Sequence, residues 1–542
     1  MNTSASGTPV RVRRSIEDIQ QDYNAGNKKP LEDVVRAWKG IQELPPTDPR
    51  SFFVLGGYHG EPFRGAGWGS PEYWGGYCNH GNVLFPTWHR AYLFVLEEAL
   101  RSIPGCEEVT LPFWDETSQE SLTNGVPWAL TQPTFELDGA TIPNPLYSFT
   151  FPLNIKDNLS PIPDADYSKP KGYQTVRYPL SGLVGPGDIE ATKAHNAKFP
   201  DPAVNAQLLS QNVVNWLTSS IVIDGKVISR NVHAKYVACL DAPNYTVFSN
   251  TTSAAEWNTN APAPVVALES PHNSIHLAVG GFDLPNVFNA SPIPGANGDM
   301  GENDTAGLDP IFFFHHCHVD RVFWLWQQRH AATDGLEIIP QFPGTNSVDN
   351  QGPTPGTPAN SWLTLDSPLD PFKKDDQGTL RPYTSRDCVN IETQLGYTYA
   401  PGSLQDLDAE RAISGLAVEP EADATGTDVA APVVHVSGIN RAAIRGSFLI
   451  STFVTVDGER HHVDSEAVLS RWHVTGCANC QTHLQARTAV SLRALGAKQL
   501  SAPEVEVEVH TRDGLLGGRA ASPHAAVLAA GATRTPFRVE IR

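Results

Sequence analysis

The residues with the most chemistry to offer are histidines, several of which sit in pairs or on apolar frames with few carboxylates beside them. In "SPHNSIHLAVGG", His272 and His276 are four residues apart, so on a helix both rings leave one face within reach of a single metal ion. In "DPIFFFHHCHVDRVFWLWQ", His315 and His316 are adjacent, and His316, Asp320 and Phe323 share a stripe. His89 lies on an apolar stripe with Leu93, Leu96 and Leu100, while His80 sits in the glycine-flanked "YCNHGN" and His59 in "GGYHGEPF". One buried histidine is most often a hydrogen-bonded core residue, but so many on such segments are hard to explain that way. Asn273 follows His272, so this is not the HExxH zinc-protease motif. All-imidazole sites suit copper, zinc, iron or nickel, and geometry rather than affinity decides among them. Spacing alone therefore predicts a metal site holding two metals.

Cysteines add two further features. Cys78 precedes His80 by two residues, and Cys477 and Cys480 form a CxxC pair. Seven cysteines thinly spread over 542 residues make a poor disulfide framework.

The elements that must position these residues follow from pattern. The length implies one large domain and a smaller one. An amphipathic helix is predicted over 35–44, and another over 87–103 carries His89. Ser270-Pro271 opens a third helix, closed by Gly280-Gly281, and Asp309-Pro310 opens a fourth whose aromatic content predicts burial on most sides. Residues 403–432 turn to Ala, Glu, Asp, Gly and Thr without aromatics and read as a linker. Beyond them, "PVVHVSGI", "GSFLISTFVTVDG" and "PEVEVEVHTR" alternate at period two, which predicts a small β-sandwich or barrel. The expected organisation is a mainly α domain with long loops over 1–402, a linker over 403–432 and an all-β domain over 433–542.

Charge and patterning exclude some partners. A net charge of -20 argues against nucleic acid and leaves a small neutral or cationic substrate. No stretch has the apolar length of a membrane span. Arg11, Arg13 and Arg14 have no apolar run behind them, so no secretory signal is visible and a cytoplasmic location is expected. Self-association into a homo-oligomer is compatible with this reading.

"FPTWHRAYLFVLE" and "LDPIFFFHHCHVDRVFWLWQ" resemble the two copper-binding signatures of the tyrosinase and catechol oxidase family, the type-3 binuclear copper proteins. The tail, with "SGINRAAIRGSF" and "SRWHVTGCANCQTHL", resembles the C-terminal domain of fungal-type pro-tyrosinases. The resemblance implies a central four-helix bundle with two copper ions, one on His59, His80 and His89 and the other on His272, His276 and His316, with O2 as co-substrate. His315 and Asp320 are then supports from outside the coordination sphere. Cys78 matches a cysteine joined to the ligand ring of His80 as a thioether. Glu269 and Asn273 match the pair that holds a water to take the proton of a monophenol, and Cys477 and Cys480 match a copper-delivery pair. Leu277 is implied at the access to the second copper. Val468, Leu469 and Trp472 are the candidates for a side chain that blocks the site until the C-terminal domain moves. The implied activity is hydroxylation of monophenols and oxidation of o-diphenols to o-quinones. A catechol oxidase or o-aminophenol oxidase is the alternative, and a hemocyanin-like oxygen carrier a more distant one.

Overall fold

The structure, a computed structural model, describes residues 10–60, 77–156, 168–223, 226–261, 263–285, 297–346, 348–349, 352–353, 361–414, 432–470, 485–492, 495, 504–521 and 537–542. Four helices carry the histidines: α1 (Phe52–Gly60), α2 (Phe85–Arg101), α3 (Glu269–Gly280) and α4 (Ile311–Arg329). In α2 the expected stripe of His89, Leu93, Leu96 and Leu100 is buried, with Pro86 in the first turn, where a missing N–H costs nothing. The run from Ile311 to Trp324 in α4 is buried on all sides, as its aromatic content predicts. Asp309 Oδ1 accepts from Ile311 N, the first helical residue, at 3.2 Å, while Arg177 neutralises its carboxylate.

Helix α3 begins two residues earlier than the Ser-Pro pattern predicts. Glu269 is already helical, and the Ser270 hydroxyl donates to Glu466 Oε2 at 2.8 Å instead of capping. A distant carboxylate has outcompeted the local cap. At the other end Gly281, at φ 123°, stops the helix as expected. The helix expected over 35–44 spans Lys29–Glu43, because Pro30 is compatible with its first turn.

Strand β1 (Arg11–Arg13) pairs in parallel with β2 (Tyr397–Tyr399), so the chain enters and leaves the helical part at one place. Beneath them lies a buried charge network. Arg13 Nε donates to Glu97 Oε2 at 2.7 Å, and Arg90 Nε to Asp320 Oδ1 at 2.6 Å. The Tyr397 and Tyr399 hydroxyls donate to Asp320 Oδ2 at 2.7 and 2.6 Å.

The later strands are β3 (Val433–Asn440), β4 (Phe448–Val456), β5 (Glu459–Val468), β6 (Gln485–Ser491), β7 (Glu504–Thr511), β8 (Gly514–Ala521) and β9 (Arg538–Ile541). They form two antiparallel sheets, in the orders β5-β4-β7-β8 and β6-β3-β9. Asp457 and Gly458, both at positive φ, make the two-residue turn of the β4–β5 hairpin. Val434, Phe448, Ile450, Val505, Val507 and Val509 build a core between the sheets, joined by Ile223 and Ile228 from the helical part. Conversely, Leu449, Ala467 and Leu469 pack into the core of the helical part. The two cores interlock.

The stretch read as a linker contains a helix, Leu407–Ser414. Leu407 is buried, Glu410 Oε2 bonds His233 Nε2 at 2.7 Å, and Arg411 pairs with Asp241 at 2.6 Å. Composition hid it because eight residues with few apolar anchors look like a loop until those partners arrive. The rest of that stretch, residues 415–431, lies outside the described residues, as do Trp472, Cys477 and Cys480.

Candidate metal centre

The four helices and the loop before α2 bring two histidine groups together in the core. His59, His80 and His89 form one, and His272, His276, His315 and His316 the other, with ligand-type atoms in each group within 4.8 Å of one another. The groups adjoin, since the His89 and His316 rings stack with centroids 4.3 Å apart.

Three of the rings are aimed by a backbone carbonyl at Nδ1. His59 Nδ1 bonds Asn303 O at 3.0 Å, His89 Nδ1 bonds Phe85 O at 2.8 Å, and His276 Nδ1 bonds Met300 O at 2.7 Å. A carbonyl can only accept, so each of these Nδ1 atoms carries the proton and each Nε2 offers a lone pair. His272 Nδ1 meets Asn273 Oδ1 at 3.0 Å. His316 Nε2 lies 3.1 Å from His272 Nε2 and 3.3 Å from His276 Nε2. Three imidazole nitrogens converging on one point in a dry core call for a cation. His89 Nε2 is likewise buried with no hydrogen bond. The donor set fits soft-to-borderline transition metals, copper among them.

Electrostatics favours the same state. Burial, reinforced by neighbouring imidazoles, holds His272 and His316 well below the usual histidine range. Burial likewise lowers His276 and pushes His89 down to about 3. The rings stay neutral and keep their lone pairs at any ordinary pH.

His315 differs from its neighbours. Its Nδ1 meets Glu116 Oε1 at 2.6 Å, and Tyr236 donates to Glu116 Oε2 at 2.7 Å. Burial pushes Glu116 up to about 8 and His315 down to about 3, so both favour their neutral forms. Among the described residues, Asp320 bonds no ring of either group. Its oxygens are taken by Arg90, Tyr397 and Tyr399, so it supports the site only by fixing Arg90, the residue after His89. The physical reason is the stronger claim of a buried guanidinium on a buried carboxylate.

Glu269 Oε1 accepts from Gly81 N at 2.8 Å, and its Oε2 from Thr251 N and Oγ1 at 2.8 and 2.9 Å. This carboxylate ties the His80 loop to α3. Burial raises its pKa, and these bonds oppose the rise. Cys78 is buried and forms no disulfide, and its Sγ accepts from Asn303 Nδ2 at 3.5 Å.

A cavity of about 300 Å³ lies between the helical part and the later sheets, lined by Asn273, Thr251, Phe342, Trp362, Arg441 and Val468 among others. That volume is at the lower end for a small-molecule site. Val468 lines this cavity, and Leu469 enters the helical core. Leu277 does not line this cavity. It is fully buried in the core, because one step past His276 turns the side chain about 100° around the helix.

Sequence reasoning missed Glu116, Thr251 and the carbonyls of Met300 and Asn303. A backbone acceptor has no side-chain signature, and the glycines of "GANGDMGENDTAG" were its indirect trace.

The profile described as the common central domain of tyrosinase matches residues 49–329. A tyrosinase from Hahella sp. (strain CCB-MM4) is 52% identical over 525 residues, covering 93% of this chain and 92% of that protein. A tyrosinase from Aspergillus oryzae is 46% identical over 529 residues, covering 92% and 93%. The solved structure of a tyrosinase from Burkholderia thailandensis at low pH matches with a TM-score of 0.82 at 50% identity, over 98% of this chain and 100% of that one. With this likeness extending along nearly its whole length, the chain belongs to the tyrosinase family and is a copper oxidase of the tyrosinase type.

Proposed function

We propose that the enzyme acts on both monophenols and o-diphenols, and that its C-terminal β domain, residues 433–542, keeps it latent. In this reading α1 to α4 are the four-helix bundle of the catalytic domain. His59, His80 and His89 hold one copper, and His272, His276 and His316 hold the other. The mutual approach of the last three Nε2 atoms supports their choice over His315, which Glu116 engages. Copper bound there supplies the capacity to turn O2 against a phenol ring.

The chain's own residues bind the ring, exclude water and manage its proton. The observation that carries the monophenolase reading is the placement of Asn273. Its Oδ1 is committed to His272 Nδ1, which leaves its NH2 group to the cavity it lines. Glu269, fixed by three donors, retains lone-pair capacity on Oε1. Between them they suit a water that takes the phenol proton, a step worth having because a free phenol has a pKa near ~10. Asn273→Ala is expected to reduce monophenol oxidation at least ~10-fold more than catechol oxidation. Initial rates on a matched monophenol and catechol check this, and equal losses would reject the water-holding role.

Latency is supported by the shared cavity wall and by Leu469 in the helical core. Polar contacts also join the two parts, beside the interlocked apolar side chains. Lys235 and Ser270 both bond Glu466, Arg487 pairs with Glu256, and Arg230 bonds His462. Cleavage within 403–432, followed by separation, is expected to raise oxygen uptake with both substrates. Unchanged turnover would dismiss latency, and uptake with catechol alone would make the enzyme a catechol oxidase. The Cys78–His80 thioether and copper delivery by Cys477 and Cys480 belong to the same proposal.

A further inference from the structure

Residues 297–309 run past both histidine groups, and glycines let them pass. A Cβ on Gly280, in the last turn of α3, would fall 2.1 Å from Gly301 N. On the other side, a Cβ on Gly56 of α1 would fall 2.5 Å from Gly307 O, and one on Gly307 would fall 2.6 Å from Gly56 O and 2.8 Å from His59 Cβ. At that range the backbone itself becomes part of the site. Met300 O accepts from His276 Nδ1 and Asn303 O from His59 Nδ1, so one short segment aims one ring in each group.

The segment is gripped from outside by the later sheets. Ser447 Oγ lies 2.8 Å from Gly301 O and 3.4 Å from Ser470 O. A hydroxyl has one proton, and the shorter contact assigns it to Gly301, the carbonyl next to Met300. Ser447 Oγ in turn accepts from Ser470 N at 2.9 Å, and Asn303 N reaches Ser470 O at 3.4 Å. Ser447 and Ser470 are both buried, so water offers no substitute.

We infer that Ser447 is a positioning residue for both metal pockets, acting through the Gly301 carbonyl on the segment that aims His276 and His59. The contact supports the metal pockets while the cover is closed, so an uncovered enzyme turns over faster but holds its copper less tightly. This rests on the reading that His59 and His276 hold the metals. Removing the hydroxyl leaves a buried carbonyl without its donor, and the segment must shift to recover one. A shift there moves two ring-orienting acceptors at once.

The test uses the full chain loaded with copper, then reduced and challenged with a Cu(I) chelator such as bathocuproine disulfonate. Ser447→Ala is expected to release copper ~10-fold or more faster than wild type, the usual scale for losing a ligand's support. Ser447→Thr, which keeps the hydroxyl, is expected to stay near wild type. Arg230→Ala weakens the same interface away from the segment and is expected to leave release unchanged. Metal-free Ser447→Ala should also exchange its amide hydrogens faster over 298–306. Should that variant not fold, Ser447→Cys, a weaker donor, is expected to show an intermediate release rate. Wild-type release in Ser447→Ala, or equal acceleration by Arg230→Ala, would overturn the inference. The underlying reading fails separately, if His59→Ala and His276→Ala still bind two coppers.

Discussion

Replacing His316 by alanine is expected to lower bound copper from two per chain towards one and to abolish oxidation of both monophenol and catechol. The reason is the position of its Nε2, 3.1 Å from that of His272 and 3.3 Å from that of His276. Nδ1 of His276 donates to a carbonyl, and Nδ1 of His272 faces the Asn273 amide oxygen. Two lone pairs therefore remain facing a void, with no third donor to complete the set. Losing a residue that merely supports a ligand costs ~10–100-fold in metal affinity or activity, and losing the ligand itself must exceed that. Metal analysis of the purified variant, beside oxygen uptake, provides the measurement. His318 is the internal control: it lies on the same helix, equally buried, but against Tyr236 and outside both histidine groups. His318→Ala should keep its copper. Retention of two coppers by His316→Ala would transfer the ligand role to His315.

The second large effect concerns stability. Asp320→Ala is expected to destabilise the protein by ~3–5 kcal/mol, the usual cost of stranding a buried charge. Arg90 and Asp320 are both essentially inaccessible, and the same carboxylate accepts from two tyrosine hydroxyls, with Arg13 Nη1 3.8 Å away. Arg90 keeps only neutral acceptors, on Gln327, Cys388 and Val389, and the carboxylate of Glu97 is already committed to Arg13 and Arg11. The exposed pair Lys193–Glu190 offers the contrast, because solvent screens it and its loss should cost ~0–1 kcal/mol. Denaturant midpoints of the two variants measure the difference. Similar midpoints would mean that the buried network contributes no more than a surface pair.

These cases show what can be read from sequence. The histidines were legible because a helix repeats every few residues, so His272 and His276 had to share a face and His89 had to point with Leu93. The strands after 433 were legible because burial of one face imposes alternation, although β4 proves buried along nearly all of its length. What escaped depends on contacts distant in the chain. Ser270 looked like a cap until Glu466, nearly two hundred residues later, was within reach of its hydroxyl. An arginine and a ligand imidazole were both open as partners of Asp320, and Arg90, far away in the chain, proves to be the one. The helix Leu407–Ser414 escaped because it is short and the partners that hold it, His233 and Asp241, lie far away in the chain. The carbonyls of Met300 and Asn303 escaped because every residue has one.

The side-by-side pairing of Arg11–Arg13 with Tyr397–Tyr399 has a consequence for building with this protein. A body whose first and last strands lie adjacent behaves as a cassette. Both joints fall at one spot on its surface, so the helical part could be spliced into a loop of a carrier protein without stretching either flank. The suture would be the buried arginine–carboxylate pairs beneath those two strands, and an insertion that spared them would keep the cassette closed.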